Sequence, residues 1–266
     1  MIISRRTKIA LEALAVLVGT WLVAPTLVVI PISFTGTSSL AFPIRSWSTQ
    51  WYHSFFADTA WMEALSLSLR LGLCVALVST VVGTAAALGL RRFGGTRGRS
   101  FVRGLLMTPL IVPGIALAIG VYALFLRMQL TGTFIGFVLA HSVLGVPYVV
   151  ITVGAALESF NPQLLHASAS LGAGPMRSFL RVTLPLIAPG VLAGVLFSFV
   201  ASFDEVVMAL FISGPYTKTL PIVMFESITR DSDPTVAAAS TLILGVSVLL
   251  ITASLVYAAR RNRRLA

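Results

Sequence analysis

Six long apolar runs, at about residues 9–33, 62–90, 104–126, 134–155, 186–212 and 236–258, are separated by shorter and more polar connections. About 20 apolar residues are what about 30 Å of hydrocarbon demands of a helix. Within lipid the backbone must satisfy its own hydrogen bonds, so a run of this kind is read as a helix rather than a loop or an open strand. With 57% hydrophobic and 11% charged residues, and a mean hydropathy of +0.95, the chain cannot cover a water-facing surface of ordinary charge density. These runs predict an all-α integral membrane protein of six transmembrane helices, in one transmembrane domain covering residues 1–266. The first run is too long for a cleaved signal peptide and no A-x-A-like site follows it, so it is expected to stay in the protein.

The basic residues orient the spans. Arg5, Arg6 and Lys8 precede the first; Arg91, Arg92, Arg97, Arg99 and Arg103 lie between the second and third; Arg177 and Arg181 lie between the fourth and fifth; Arg260, Arg261, Arg263 and Arg264 end the chain. Fourteen of the 19 Lys and Arg residues therefore fall on one side, leaving Arg45, Arg70, Arg127, Lys218 and Arg230. Such bias marks the cytoplasmic side, which would hold both termini. The same placement in loops explains the net charge of +10 without nucleic acid as a partner.

Several chemistries are excluded or weakened. Cys74 is the only cysteine, so neither an internal disulfide nor a thiolate metal site can form. His53, His141 and His166 are far apart, without the i,i+4 spacing of a metal pair. The stretch FGGTRGRS at 93–100 superficially resembles a phosphate-binding loop, but Gly94 and Gly98 are one residue too close and Arg99 stands where lysine is required. Arginines meeting anionic lipid explain it better. No other stretch offers a nucleotide site, so any ATP used must be bound by another chain.

Polar residues within the spans are the candidate functional positions. Asp204 and Glu205 interrupt the fifth run, roughly 25 Å along from Ile187 at 1.5 Å per residue. On a continuous helix they would point about 100° apart, one toward a central path and the other toward another helix, with Arg70 of the second span as a partner. A structural ion pair and contact with a passing cation both remain open. His141 is expected to be a hydrogen-bonded core histidine. Ala116/Gly120 and Gly132/Gly136 have the four-residue spacing that lets helices approach closely. Trp47, Trp51, Tyr52, Phe55, Phe56 and Trp61 enrich the first outer loop, as in an interfacial belt or a docking surface for an external partner. Residues 213–234 predict a short outer helix apposed to the membrane.

The connection at about 156–185 predicts a compact helical hairpin. Asn161-Pro162 supplies an N-cap and a first-turn proline, Leu164, Leu165, Ser168 and Leu171 share a face, and Gly172 stands where a helix ends in the left-handed region. A second short helix starts at Gly174-Pro175, carries Arg177 and Arg181 one turn apart, and is expected to stop at Pro185.

This segment resembles the cytoplasmic loop of permeases from binding-protein-dependent ABC importers, whose pattern is E-A-A-x-x-x-G, nine residues, then I-x-L-P. Here His166-Ala167-Ser168 stands at E-A-A, Gly172 at the glycine and Val182-Thr183-Leu184-Pro185 at I-x-L-P, with nine residues between. Histidine replaces the usual glutamate and serine the second alanine. Trp51-Tyr52, Phe55-Phe56, Ser202-Phe203-Asp204-Glu205, Ser213-Gly214-Pro215, Thr219-Leu220-Pro221 and Pro234 resemble the spermidine/putrescine branch, specifically the second permease of its heterodimer.

The resemblance implies a type I ABC importer permease fold in a bacterial inner membrane, with a coupling hairpin seated in an ATPase subunit. His166, Ala167, Ser168, Gly172, Arg177, Arg181, Val182, Leu184 and Pro185 would form that coupling element, and Asp204, Glu205 and Arg70 would line the substrate path. It also implies an ABC ATPase dimer, a second homologous permease and an extracytoplasmic binding protein as partners. ATP and Mg would reside on the ATPase and no cofactor on this chain. An ion-driven carrier acting alone, a permease for another small organic solute, a membrane enzyme and a non-transporting scaffold are the alternatives.

Overall fold

The computed structural model describes residues 5–92, 95–230 and 233–265, with side chains for all of these except 5, 6, 92, 250, 251 and 253–265. Of the basic residues used to orient the chain, Arg5, Arg6, Arg92, Arg260, Arg261, Arg263 and Arg264 thus have side chains outside the description, and Phe93-Gly94 lies outside it altogether. Among the described residues twelve α-helices follow in order: α1 Arg5–Ile32, α2 Gln50–Ala57, α3 Thr59–Arg92, α4 Thr96–Ile111, α5 Gly114–Met128, α6 Phe134–Glu158, α7 Gln163–Ser170, α8 Pro175–Ser178, α9 Leu184–Phe203, α10 Val207–Ile212, α11 Leu220–Arg230 and α12 Thr235–Leu265. They fall into two compact units, residues 1–62 with 224–266, and residues 63–223.

In the first unit α12 packs on α1 and α2. The apolar stretch of α1 has no buried residue, as suits a helix that is apolar all round and left to lipid. The aromatic loop divides its rings between two environments. Phe55 and Trp61 are only 2% and 5% exposed and lie 5.6 Å apart, whereas Trp47 is 71% exposed. Trp51 Nε1 donates to the Thr35 carbonyl at 2.7 Å, and the Tyr52 and Ser33 hydroxyls are 2.6 Å apart. Two of the six aromatics expected in the belt, Phe55 and Trp61, are therefore local core.

The second unit is centred on α6, which packs along α9. The buried residues of α9 are Ile187, Gly190, Gly194, Ser198 and Ser202, a stripe at three- and four-residue steps made almost wholly of small side chains. Backbones approach where those side chains are missing: a Cβ on Gly190 would lie 2.6 Å from both Ala156 Cβ and the Thr152 carbonyl oxygen. Gly83 of α3 is similarly closed off, a Cβ there falling 2.6 Å from Val149 Cβ. The seam expected at Ala116/Gly120 is not one, since a Cβ on Gly120 would meet nothing within 4 Å.

The spans expected at 9–33, 62–90 and 134–155 are α1, α3 and α6. The span expected at 104–126 is instead two helices, α4 and α5, bent by 100°. Pro113 removes a backbone donor and drives Val112 to ψ 136°, out of the helical region. Among the described residues four helices are long and apolar enough to cross a membrane, five if the bent pair makes one span, and the described apolar part of α12 runs from Thr235 to Leu249. The short outer helix expected within 213–234 is α11, whose Leu220 N–H donates to Ser68 Oγ at 2.8 Å.

Candidate functional site

The hairpin joins α6 to α9. Arg91 Nη2 donates to the Phe160 carbonyl at 3.2 Å and its guanidinium lies 5.1 Å from the Phe160 ring centroid, tying the end of α3 to the start of the hairpin. Asn161 Oδ1 accepts from the Gln163 N–H at 3.0 Å, which opens α7 with Pro162 in helical conformation. At its far end Ala173 N–H donates to Ser168 O at 3.1 Å and Gly172 N–H to Ala169 O at 2.9 Å. With Gly172 at φ +78° this is a Schellman closure, and the left-handed position favours glycine.

Ser168 has a role the alanine it replaces could not fill. Its hydroxyl lies 2.7 Å from that of Ser178, which is buried, so one hydroxyl pair latches α7 against α8. The apolar side chains do not all follow it inward. Leu171 is 87% exposed and Met176 69%, and Leu164, Leu165 and Leu180 are exposed too. His166, Ala167, Arg177 and Arg181 are also exposed, while Val182 and Leu184 are half-buried. The His166 carbonyl accepts from Ser170 Oγ at 3.0 Å.

The helix does not end at Pro185. A π-helical turn, Phe179–Thr183, carries α8 into α9, with Leu184 N–H donating to the Phe179 carbonyl five residues back. A wider turn just before proline relieves the clash that its ring makes with the carbonyl four residues earlier. Consequently hairpin and membrane helix form one continuous element, Pro175–Phe203, of 29 residues.

The other end of that element carries the carboxylates. The helix stops at Phe203, Asp204 takes φ −93° and ψ 0°, and α10 restarts at Val207. Asp204 and Glu205 therefore flank a break and do not follow one another round a helix, as the apolar run suggested. Glu205 is half-buried and its Oε1 accepts from the Met208 N–H at 2.8 Å, capping α10; Asp204 is exposed. Arg70 is exposed and its Nε donates to Ser66 O on its own helix at 3.2 Å, and among the described residues it pairs with neither carboxylate.

His141 is fully buried, with Nδ1 3.2 Å from the Ser202 carbonyl oxygen and 3.0 Å from its hydroxyl. Nδ1 reaches both the backbone and the hydroxyl of Ser202, and α6 is pinned to α9 two residues before the break. The histidine is thus a core residue, as expected. Beyond the break Gly132, at φ +71°, donates its N–H to the Ile212 carbonyl at 2.7 Å, anchoring α10 to the α5–α6 turn.

Residues 79–264 match the family described as binding-protein-dependent transport system inner membrane component. The putrescine transport system permease protein PotI of Escherichia coli (strain K12) is 34% identical over 232 residues, 85% of this chain and 82% of that protein. The spermidine/putrescine transport system permease protein PotC of the same strain is 30% identical over 88% of each. A bacterial alginate ABC transporter crystallised with an alginate pentasaccharide-bound periplasmic protein shares the fold, at TM-score 0.69 and 14% identity over 97% of this chain and 94% of that one. With α6, the hairpin and α9 all inside the matched region, the chain belongs to the family of binding-protein-dependent transport system inner membrane components.

Proposed function

We propose that this permease forms half of an inward path for a polyamine such as putrescine or spermidine, or a related organic amine, and couples that path to a separate ATPase. The observation that carries the coupling is the single element Pro175–Phe203, which has an exposed apolar hairpin at one end and the carboxylate-bearing break at the other. Leu171 and Met176 offer apolar area, and Arg177 and Arg181 offer charge, to a groove on the ATPase. ATP and Mg act there. As the ATPase subunits close and reopen, the hairpin moves with them and carries α9 along, so the break at Asp204 opens alternately to each side. Both termini and the hairpin then lie in the cytoplasm, and a binding protein delivers the cargo from outside to a pair of homologous permeases.

The substrate reading draws on the names of the two relatives and on Asp204, whose exposed carboxylate suits an ammonium group. Affinity purification of the chain from its own membrane, wild type against Gly172→Pro, tests the coupling. Proline cannot adopt φ +78°, so an ATPase should accompany the wild type and be lost from the variant. Its absence from both removes the reading and leaves ion-driven transport by this chain alone. Uptake of labelled putrescine and spermidine tests the cargo, with competition by unlabelled organic solutes of other charge as the discriminating arm.

A further inference from the structure

We propose that a cavity between α3, α4 and α6, beside the base of the hairpin, seats the phosphate of an anionic phospholipid headgroup. The cavity is about 250 Å³ and is lined by Arg91, Arg99 and Arg103, with Glu158 as the carboxylate and Met107 and Ile151 as part of its apolar wall. Three guanidinium groups face one carboxylate, so the lining holds excess positive charge. Among the described residues neither Arg99 nor Arg103 pairs with Glu158 or with any other carboxylate.

The geometry is poised for an oxyanion. Arg91 is held in orientation by the Phe160 carbonyl and ring, leaving part of its planar fork of donors for a ligand. Arg99 and Arg103 are one turn apart on α4, where like charges repel, and an anion between them turns that repulsion into shared attraction. Arg99 is the fourth residue of a helix that starts at Thr96, whose positive dipole end adds to the field there. Met107, one turn beyond Arg103 on the same face of α4, and the exposed Ile151 line the same cavity. Apolar surface running from a basic pocket suits acyl chains attached to the phosphate and gives a free anion nothing, which favours lipid as the source.

The purified, delipidated full chain should bind phosphatidylglycerol at least about tenfold more tightly than phosphatidylcholine, read as retained adducts by native mass spectrometry. Two variants probe the cavity in different ways. Arg91→Gln/Arg99→Gln/Arg103→Gln removes the charge. Gly154→Leu keeps it but fills the space, since Gly154 lines the cavity and a Cβ there meets nothing within 4 Å. Both should bring the tenfold preference close to none, the triple variant by removing charge and Gly154→Leu by removing space, while Arg127→Gln on α5, outside the cavity, keeps it. Equal phosphatidylglycerol binding by wild type and both variants, or equal loss in Arg127→Gln, overturns the site. Binding of inorganic phosphate without a preference for phosphatidylglycerol overturns the lipid and assigns the cavity to a free anion. The proposal rests on the chain being a membrane permease but not on its coupling, and lipid binding is measured with no ATPase present, so the two readings fail separately.

Discussion

Gly190 is a position where one methyl group should cost this protein heavily. On α9 an added Cβ would fall 2.6 Å from Ala156 Cβ and 2.6 Å from the Thr152 carbonyl oxygen on α6. Carbon atoms in contact prefer about 3.5–4.0 Å, so the two helices must part by about 1 Å at that point. The Thr152 oxygen is backbone and cannot rotate away. A gap of that size forfeits roughly a quarter to a half of each contact along the opened seam, and overpacking itself costs about 1–3 kcal/mol. Gly190→Ala should therefore destabilise the chain by about 2 kcal/mol, roughly a thirtyfold fall in the ratio of folded to unfolded protein. Gly194→Ala should follow it, since its Cβ would lie 2.9 Å from Thr152 Oγ1 and 3.1 Å from Val149 Cα. Gly120→Ala is the control. Its Cβ enters open space, and relieving a helix of interior glycine gains about 0.5–1 kcal/mol. Reversible unfolding of the purified chain in mixed micelles by added SDS, followed by helical circular dichroism, reads all three. If Gly190→Ala unfolds at the same SDS fraction as wild type or Gly120→Ala, the close approach of α6 and α9 is wrong.

Substitutions at three further positions probe the hairpin and the break. Gly172→Ala meets no neighbour and fails only through φ +78°, so it should lose about 1–2 kcal/mol of hairpin stability and weaken ATPase co-purification, while Gly172→Asn, which tolerates that region, loses less. Ser168→Ala removes the hydroxyl partner of buried Ser178, leaving it the 3.5 Å contact to the Ala173 carbonyl; a loss of about 1 kcal/mol should appear as faster amide exchange across α7 and α8. Glu205→Ala should free the start of α10, at about 1 kcal/mol in the same SDS assay, whereas Glu205→Gln keeps an oxygen for Met208 N–H and should unfold as wild type does. Loss of amine uptake by Glu205→Gln at unchanged stability would show that the charge serves transport beyond its capping role.

The hairpin was legible because its signals are local. Asn161 and Pro162 set the start, Gly172 the left-handed stop and Pro175 the restart, each through backbone restrictions that need no distant partner. The carboxylates at 204–205 are visible in the sequence as an interruption, but the helix break they flank is not: a run of apolar residues looks continuous whether or not its backbone is. Ser168 looked like a departure from a motif, and only the position of Ser178 shows what its hydroxyl does.

By itself the sequence determined that the chain is helical and membrane-embedded, where most of its spans lie, and which connection forms a hairpin. Those follow from run length, from lipid's demand that the backbone satisfy itself, and from glycine and proline acting on their own dihedral angles. Tertiary structure decided how far the break at Pro113 bends α4 from α5, by 100°, that a π-turn carries the helix through Pro185, that Phe55 and Trp61 are core, and that Gly190 and Gly194, not Ala116 and Gly120, make a seam. Small residues four apart permit close approach wherever they occur. Whether it happens depends on the helix opposite, which is contributed by residues tens of positions away.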